Sequence, residues 1–286
     1  MRPVMVVLVL LSLLPMAGAQ GKLQRTREEP ARQPSESADR ADTPSSCADE
    51  GGFAELFAEP LGAVLGLTVA APFVGPHALL GDSFERSALL PGHPYARPEG
   101  GFLEVGLRPE NNHDGALLDP PFLKPWSLRL QLENGNDFDG LNRTGAHLFL
   151  DTASRFGVVT RWDHYRERLG CGCWDYTTLG DAHLTFRFAQ SAAAQFHAGL
   201  GARWRFDRSD TSGGVSFLYG ADFFPIDPLV VSTSIDLGNL DRQFVFRARA
   251  SAGWQVGRCE LLGGYDFLRF GSVNLQGPFV GLRLWF

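Results

Sequence analysis

From residue 126 to residue 286 apolar and polar side chains alternate with a period of two. Trp126, Leu128, Leu130 and Leu132 share one face, opposite Arg129, Gln131 and Glu133. The pattern restarts after each group of Gly, Asn, Asp or Ser. Phe196, Ala198, Leu200, Ala202 and Trp204 oppose His197, Arg203 and Arg205; Val215, Phe217, Tyr219 and Ala221 oppose Asp222; Phe244, Phe246, Ala248 and Ala250 oppose Arg247 and Arg249. Successive side chains of a strand point to opposite sides of a sheet, so each segment reads as a two-faced β-strand. There are about ten of them, each of about 8–12 residues, the length a tilted strand needs to cross a bilayer.

One face carries almost no charge. The other holds Arg129, Glu133, His147, Asp151, Arg161, Asp163, Asp181, His183, Arg187, Arg203, Arg205, Asp222, Asp236, Arg247, Arg249, Glu260, Asp266 and Arg283. Alternation alone does not say which face points inward, but volume bears on it. Roughly 50 apolar-face residues would overfill a soluble closed barrel, since even an eight-stranded barrel is only just wide enough for its own side chains. A soluble two-sheet sandwich is the competing arrangement. The expectation is an all-β fold, an antiparallel up-and-down transmembrane β-barrel of about ten strands (range 8–12), with the charged face lining the lumen. Opposite charges in a narrow lumen must pair, because an unpaired charge removed from water is costly. The passage is therefore expected to be narrow or closed. A gate of re-partnering pairs, or a cationic strip of Arg203, Arg205, Arg247 and Arg249 favouring anions, is the sharper alternative.

The connections read as alternately long and short. Outer-side links fall at 134–142, 166–179, 207–213, 239–243 and 270–277, inner-side links at 152–155, 190–194, 224–228 and 255–257. Trp204, Phe206, Phe244 and Phe267 lie toward the outer ends of their strands and Phe188, Phe196, Phe223, Trp254 and Phe286 toward the inner ends, as aromatic rings do at membrane interfaces.

The final stretch, Gly281-Leu282-Arg283-Leu284-Trp285-Phe286, is an alternating strand stopping on an aromatic residue. With the alternation and loop asymmetry, residues 126–286 resemble small bacterial outer-membrane β-barrel proteins at the level of architecture. The resemblance implies placement in the outer membrane of a Gram-negative cell, contact with outer-membrane lipid, and Phe286 as the signal read by the barrel-assembly machinery. Such barrels include structural anchors, adhesins, narrow pores and lipid enzymes. The leading expectation is a non-enzymatic barrel with a structural or surface role. A small pore for ions or small solutes, a lipid-modifying barrel enzyme and a secreted soluble β-sandwich are the alternatives.

The N-terminal part reads differently. Arg2, an apolar core over residues 4–14 and the small-residue site Ala17-Gly18-Ala19 make residues 1–19 a cleavable export signal. Residues 20–50 are polar and poor in large apolar groups, which predicts a disordered linker. Within 51–125, Phe53, Leu56, Phe57, Leu61, Val64 and Leu65 follow a helical spacing broken by Pro60, and Leu103, Val105 and Leu107 suggest a strand. This region is expected to be a periplasmic cap, a plug or extra strands. After the signal no apolar run is long enough for a membrane-spanning helix.

Candidate chemistry is thin. His147 with Asp151 and His183 with Asp181 are acid–base candidates, but no Ser is placed beside either in sequence and no nucleophile elbow is present. No catalytic residue is assigned. Cys171 and Cys173 lack partners at metal-ligand spacing, and the acidic turn from Asn134 to Gly140 lacks an EF-hand pattern, so no metal and no cofactor is expected. A formal net charge of −6 gives no footprint for nucleic acid.

Overall fold

A computed structural model of the chain describes residues 21–28, 70–82, 89–96, 102, 123–207 and 211–286. Two short strands, β1 (Leu90–Pro91) and β2 (Leu123–Lys124), pair with each other. The remaining ten form one closed barrel: β3 (Trp126–Asn136), β4 (Leu141–Thr152), β5 (Phe156–Arg168), β6 (Trp174–Gln190), β7 (Ala194–Phe206), β8 (Thr211–Ile226), β9 (Leu229–Leu240), β10 (Gln243–Val256), β11 (Cys259–Phe270) and β12 (Val273–Trp285). Each strand pairs antiparallel with its sequence neighbour, and β12 closes the ring on β3. The fold is the antiparallel ten-stranded barrel that the alternation predicts.

The faces fall as expected. Leu132, Leu200 and Val215 are 66%, 71% and 68% exposed on the outside, whereas Asp236 inside is fully buried. An apolar exterior around an ionised interior inverts the arrangement of a water-soluble barrel, which buries its apolar face. The sandwich alternative is overturned, since the sheet closes on itself and its apolar side chains point outward.

The expected loop asymmetry is much reduced. Links at the end remote from the barrel's termini are 137–140, 169–173, 207–210, 241–242 and 271–272; those at the end that holds its termini are 153–155, 191–193, 227–228 and 257–258. The sequence reading took polar, Gly- and Asn-containing stretches for loops. Pairing continues through them: Asn134 opposes Thr144, Asn136 opposes Asn142, and Arg168 opposes Trp174. Backbone hydrogen bonds hold a strand together whatever its side chains, so polarity marked solvent rather than the end of pairing.

Among the described residues, two helices pack on the barrel. Helix α1 (Lys22–Glu28) lies within the stretch expected to be a disordered linker. Leu23 is fully buried in a cluster with Leu141, Tyr165, Leu240, Val245, Leu268 and Phe270 at the far end of the barrel. One large apolar side chain cannot order a free peptide; here the barrel supplies the cavity it fills. Helix α2 (residues 70–80) lies against the outside of the wall, with Phe73 ringed by Phe188 and Tyr219 at 5.1 and 5.9 Å. The Tyr219 hydroxyl donates to the Pro72 carbonyl at 2.8 Å. At the termini end, Leu90, Phe102, Phe224, Val230 and Trp285 form a second apolar cluster. The signal peptide, the helical spacing from Phe53 to Leu65 and the strand at Leu103, Val105 and Leu107 lie outside the described residues.

Candidate functional site: the barrel lumen

The structure places all eighteen charged or histidine residues named from the sequence on the interior, sixteen of them buried and His147 and Arg249 half-buried. They form separate clusters, each balanced in charge. In the first, Glu133, Asp163 and Asp266 meet Arg143, Arg247 and Arg249. Arg143 lies 2.7 Å from Glu133 and 3.0 Å from Asp163, Arg247 lies 2.6 Å from Asp163, and Arg249 pairs with Glu133. Gly145 makes room for it, since a Cβ there would sit 2.8 Å from Asp163 and 2.9 Å from Glu133. In the second, Arg161 pairs with Asp181 at 2.9 Å and Arg203 with Asp236 at 2.5 Å, while Arg161 also meets Asp236. In the third, Arg129 meets Asp222 at 2.7 Å and Arg187 meets Asp151 at 2.9 Å, and the Arg129 guanidinium stacks 3.6 Å above the Phe149 ring. Arg283 and Trp285 both contact Glu260, at 3.1 and 3.0 Å.

Charges in a low-dielectric interior persist only when matched, and here carboxylates and guanidiniums are matched cluster by cluster. The expected cationic strip does not form. Arg203, Arg247 and Arg249 face carboxylates on other strands, and Arg205 reaches the carbonyl of Thr26 and the carboxylate of Asp207.

Helix α1 closes the far mouth with the same chemistry. Glu167 accepts from the Lys22 and Leu23 backbone N–H groups at 2.7 and 2.8 Å, capping the helix start. Lys22 pairs with Asp137 and Asp139 at 2.5 and 3.1 Å, and Arg27 with Asp175 and Asp207 at 3.0 and 2.8 Å. Partial burial alone would lower the Lys22 pKa, but hydrogen bonds and attraction from Asp137 and Asp139 outweigh it and hold the ammonium above its usual value. Arg27 is treated likewise: burial opposes the charge, and Asp207 and Asp175 more than restore it. The turn from Asn136 to Gly140 is a hairpin link: Asp137 accepts from the Asp139 and Leu141 N–H groups at 2.8 and 2.9 Å.

Sequence reasoning did not single out Arg143, Glu167 or Asp175, and it put Ser216 on the polar face without bringing it to His183. Glu167 and Asp175 stand in the stretch 166–179 read as a loop, Arg143 just past the one read at 134–142, and Ser216 has no charge to mark it. His183 Nε2 and Ser216 Oγ lie 2.7 Å apart, and His183 Nδ1 lies 3.4 Å from Asp181. The register explains the meeting. Gly201 of β7 stands between His183 of β6 and Ser216 of β8, and its lack of a side chain leaves the gap open. The order Asp, His, Ser has the form of a nucleophile triad. Yet Ser216 is buried, and the lumenal cavity described below does not reach it. Two groups, Glu133–His147–Asp163 and Asp181–His183–Asp236, bring metal-ligand atoms within 4.8 Å of one another. Their carboxylates are already neutralised by arginines, so a divalent cation would leave excess positive charge in a desolvated space. His147 and Asp151 do not form a pair; His147 faces Glu133 and Asp163 at 3.6 and 3.7 Å.

A cavity of about 100 Å³ persists among Arg129, Arg161, Arg283, His197, Ser232 and Ser251. Leu148, Phe149 and Val159 line it as well, so polar groups meet apolar ones there, and its volume is enough for several waters, each of which needs about 10–15 Å³ of such space. Cys171 and Cys173 are joined in a disulfide in the β5–β6 link, and Cys259 is free and exposed.

The class defined by these observations is a closed ten-stranded antiparallel β-barrel with an apolar exterior and a charged interior. No protein-family model matches the chain, and no curated protein matches it in sequence. Among solved structures it is similar to CdiB from Acinetobacter baumannii at 9% identity and a TM-score of 0.27, over 52% of this chain and 39% of that one.

Proposed function

We propose that the protein is a non-enzymatic outer-membrane β-barrel, exported by residues 1–19, with a closed lumen and a structural or surface role. The carrying observation is the pairing of an apolar outer wall with an interior of charge-balanced clusters, because hydrocarbon is the surrounding in which that inversion is stable. The plug α1 at one mouth and the Phe102–Trp285 cluster at the other add to the closure. Outer-membrane lipid is its surrounding medium and the barrel-assembly machinery its partner during insertion. Phe286, half-buried, is proposed as the residue that machinery reads.

Reconstitution in planar bilayers tests this reading. The purified protein is expected to require detergent for extraction, to migrate differently on unheated gels, and to show no stable conductance steps. Reproducible steps would establish the pore alternative and overturn a closed lumen.

A further inference from the structure

The interior arginines are all matched, but a set of cations on the outer wall is not. On the outward face of β5, His164, Arg166 and Arg168 follow Trp162 toward the far end, and all three are exposed. Among the described residues no carboxylate forms an ion pair with any of them. His164 and Arg166 are nevertheless held in place. His164 Nδ1 and Thr178 Oγ1 lie 3.1 Å apart, the His164 ring stacks on Tyr176, and the Arg166 guanidinium lies 4.6 Å above the Trp174 ring.

The register arranges this face in rows. Leu132, Ala146 and Trp162 stand side by side; the next row outward is Asn134, Thr144, His164 and Thr178; the next is Asn136, Asn142, Arg166 and Tyr176. The wall thus changes from apolar to polar and cationic within one row. On the opposite side of the ring the change is less complete: on β10 the outward Phe246 and Phe244 continue to the short link at 241–242, beside Arg269 and Asn239 of the neighbouring strands. Directly below the polar rows lies a groove of about 400 Å³ lined by Leu132, Ala146, Leu148, Trp162, Leu282 and Leu284, in the roughly 300–1,000 Å³ range of small-molecule clefts. The small side chain of Ala146 between Leu132 and Trp162 forms its floor. Arg166 is four residues beyond Trp162, about 13 Å along the strand at roughly 3.3 Å per residue. That separation fits an acyl chain and its headgroup.

We propose that this wall binds a phosphate-bearing lipid, with an acyl chain in the groove and the phosphate held by His164, Arg166 and Arg168. Charge complementarity selects the occupant. Arginine forks donate paired hydrogen bonds to phosphate oxygens, and Asn134, Asn142 and Thr144 border the same spot with neutral donors. The proposal rests on the membrane reading above and places this contact at the level of the membrane's outer face.

The test uses the full-length protein in phosphatidylcholine nanodiscs doped with phosphatidic acid, with retained lipid counted by native mass spectrometry. The wild type is expected to retain phosphatidic acid over phosphatidylcholine. R166S/R168S should lose about tenfold in that preference, the equivalent of about 1.4 kcal/mol, and R166K/R168K should recover part of it. Ala146→Phe, which fills the groove, should lower retention while the barrel still shifts on unheated gels. Equal retention by the wild type and R166S/R168S would overturn the site, and so would an unaffected Ala146→Phe. Displacement by excess inorganic phosphate would reassign the cations to free phosphate and overturn the lipid. A protein that never enters a bilayer would overturn the membrane reading itself, an outcome separate from insertion without lipid preference.

Discussion

Replacing Asp236 by alanine is expected to cost the folded barrel about 3–5 kcal/mol, the penalty for removing one partner of a buried charge cluster. Asp236 is fully buried on β9 and is shared by Arg161 and Arg203, with His183 3.7 Å away. Without it, Arg161 keeps Asp181, and Arg203 loses the carboxylate it pairs with. Urea unfolding of the refolded protein in lipid vesicles, read by the unheated gel shift, measures the loss. Asp236→Asn keeps the shape and removes the charge, so it should reproduce most of it. A loss below about 1 kcal/mol is what an exposed, water-screened pair gives. That result would mean a water-filled lumen and would undo the closed-lumen reading.

The second large effect separates a membrane from water as the surroundings. Leu200 lies on the outward face of β7 and is 71% exposed. In a bilayer, Leu200→Arg is expected to destabilise the barrel by about 2–4 kcal/mol, as cationic substitutions on a lipid face do near the midplane. In water the same change at an exposed site stays within about 0.5 kcal/mol. The comparison is made on one variant, by its folding yield and urea midpoint in vesicles. A neutral or stabilising result would remove lipid as the medium around β7 and with it the basis for the proposed location.

The fold was largely legible because its driving pattern is local. A residue's face depends on parity along its own strand, so Arg203 and Leu200 could be sorted without knowing which strands are neighbours. What depends on a second strand was not legible. Arg143 belongs to the first ion cluster, yet in sequence it stands between the link read at 134–142 and the strand whose alternation is read from Ala146. The contact between His183 and Ser216 requires β6, β7 and β8 in register with Gly201 in the middle, information no single segment contains. Helix α1 was missed for a related reason: Lys22, Leu23 and Arg27 are ordered by Glu167, Asp137, Asp175 and Asp207, all more than one hundred residues away. The cationic rows on β5 were hidden by the same error that shortened the strands, since His164 and Arg166 sat at the edge of a supposed loop.

The ring joins at its least extensive ladder. β12 and β3 pair from Phe279 with Gly135 to Trp285 with Arg129, and Phe286 adds two backbone hydrogen bonds with Leu128, at 2.9 and 3.3 Å. By comparison β11 and β12 pair from Cys259 to Phe270. A polypeptide that has not yet brought its first and last staves together has two raw margins of unused donors and acceptors, each able to recruit a stranger's strand. Closing the ring removes both margins at once, and this joint is where heat or force would be expected to unzip the finished cylinder first.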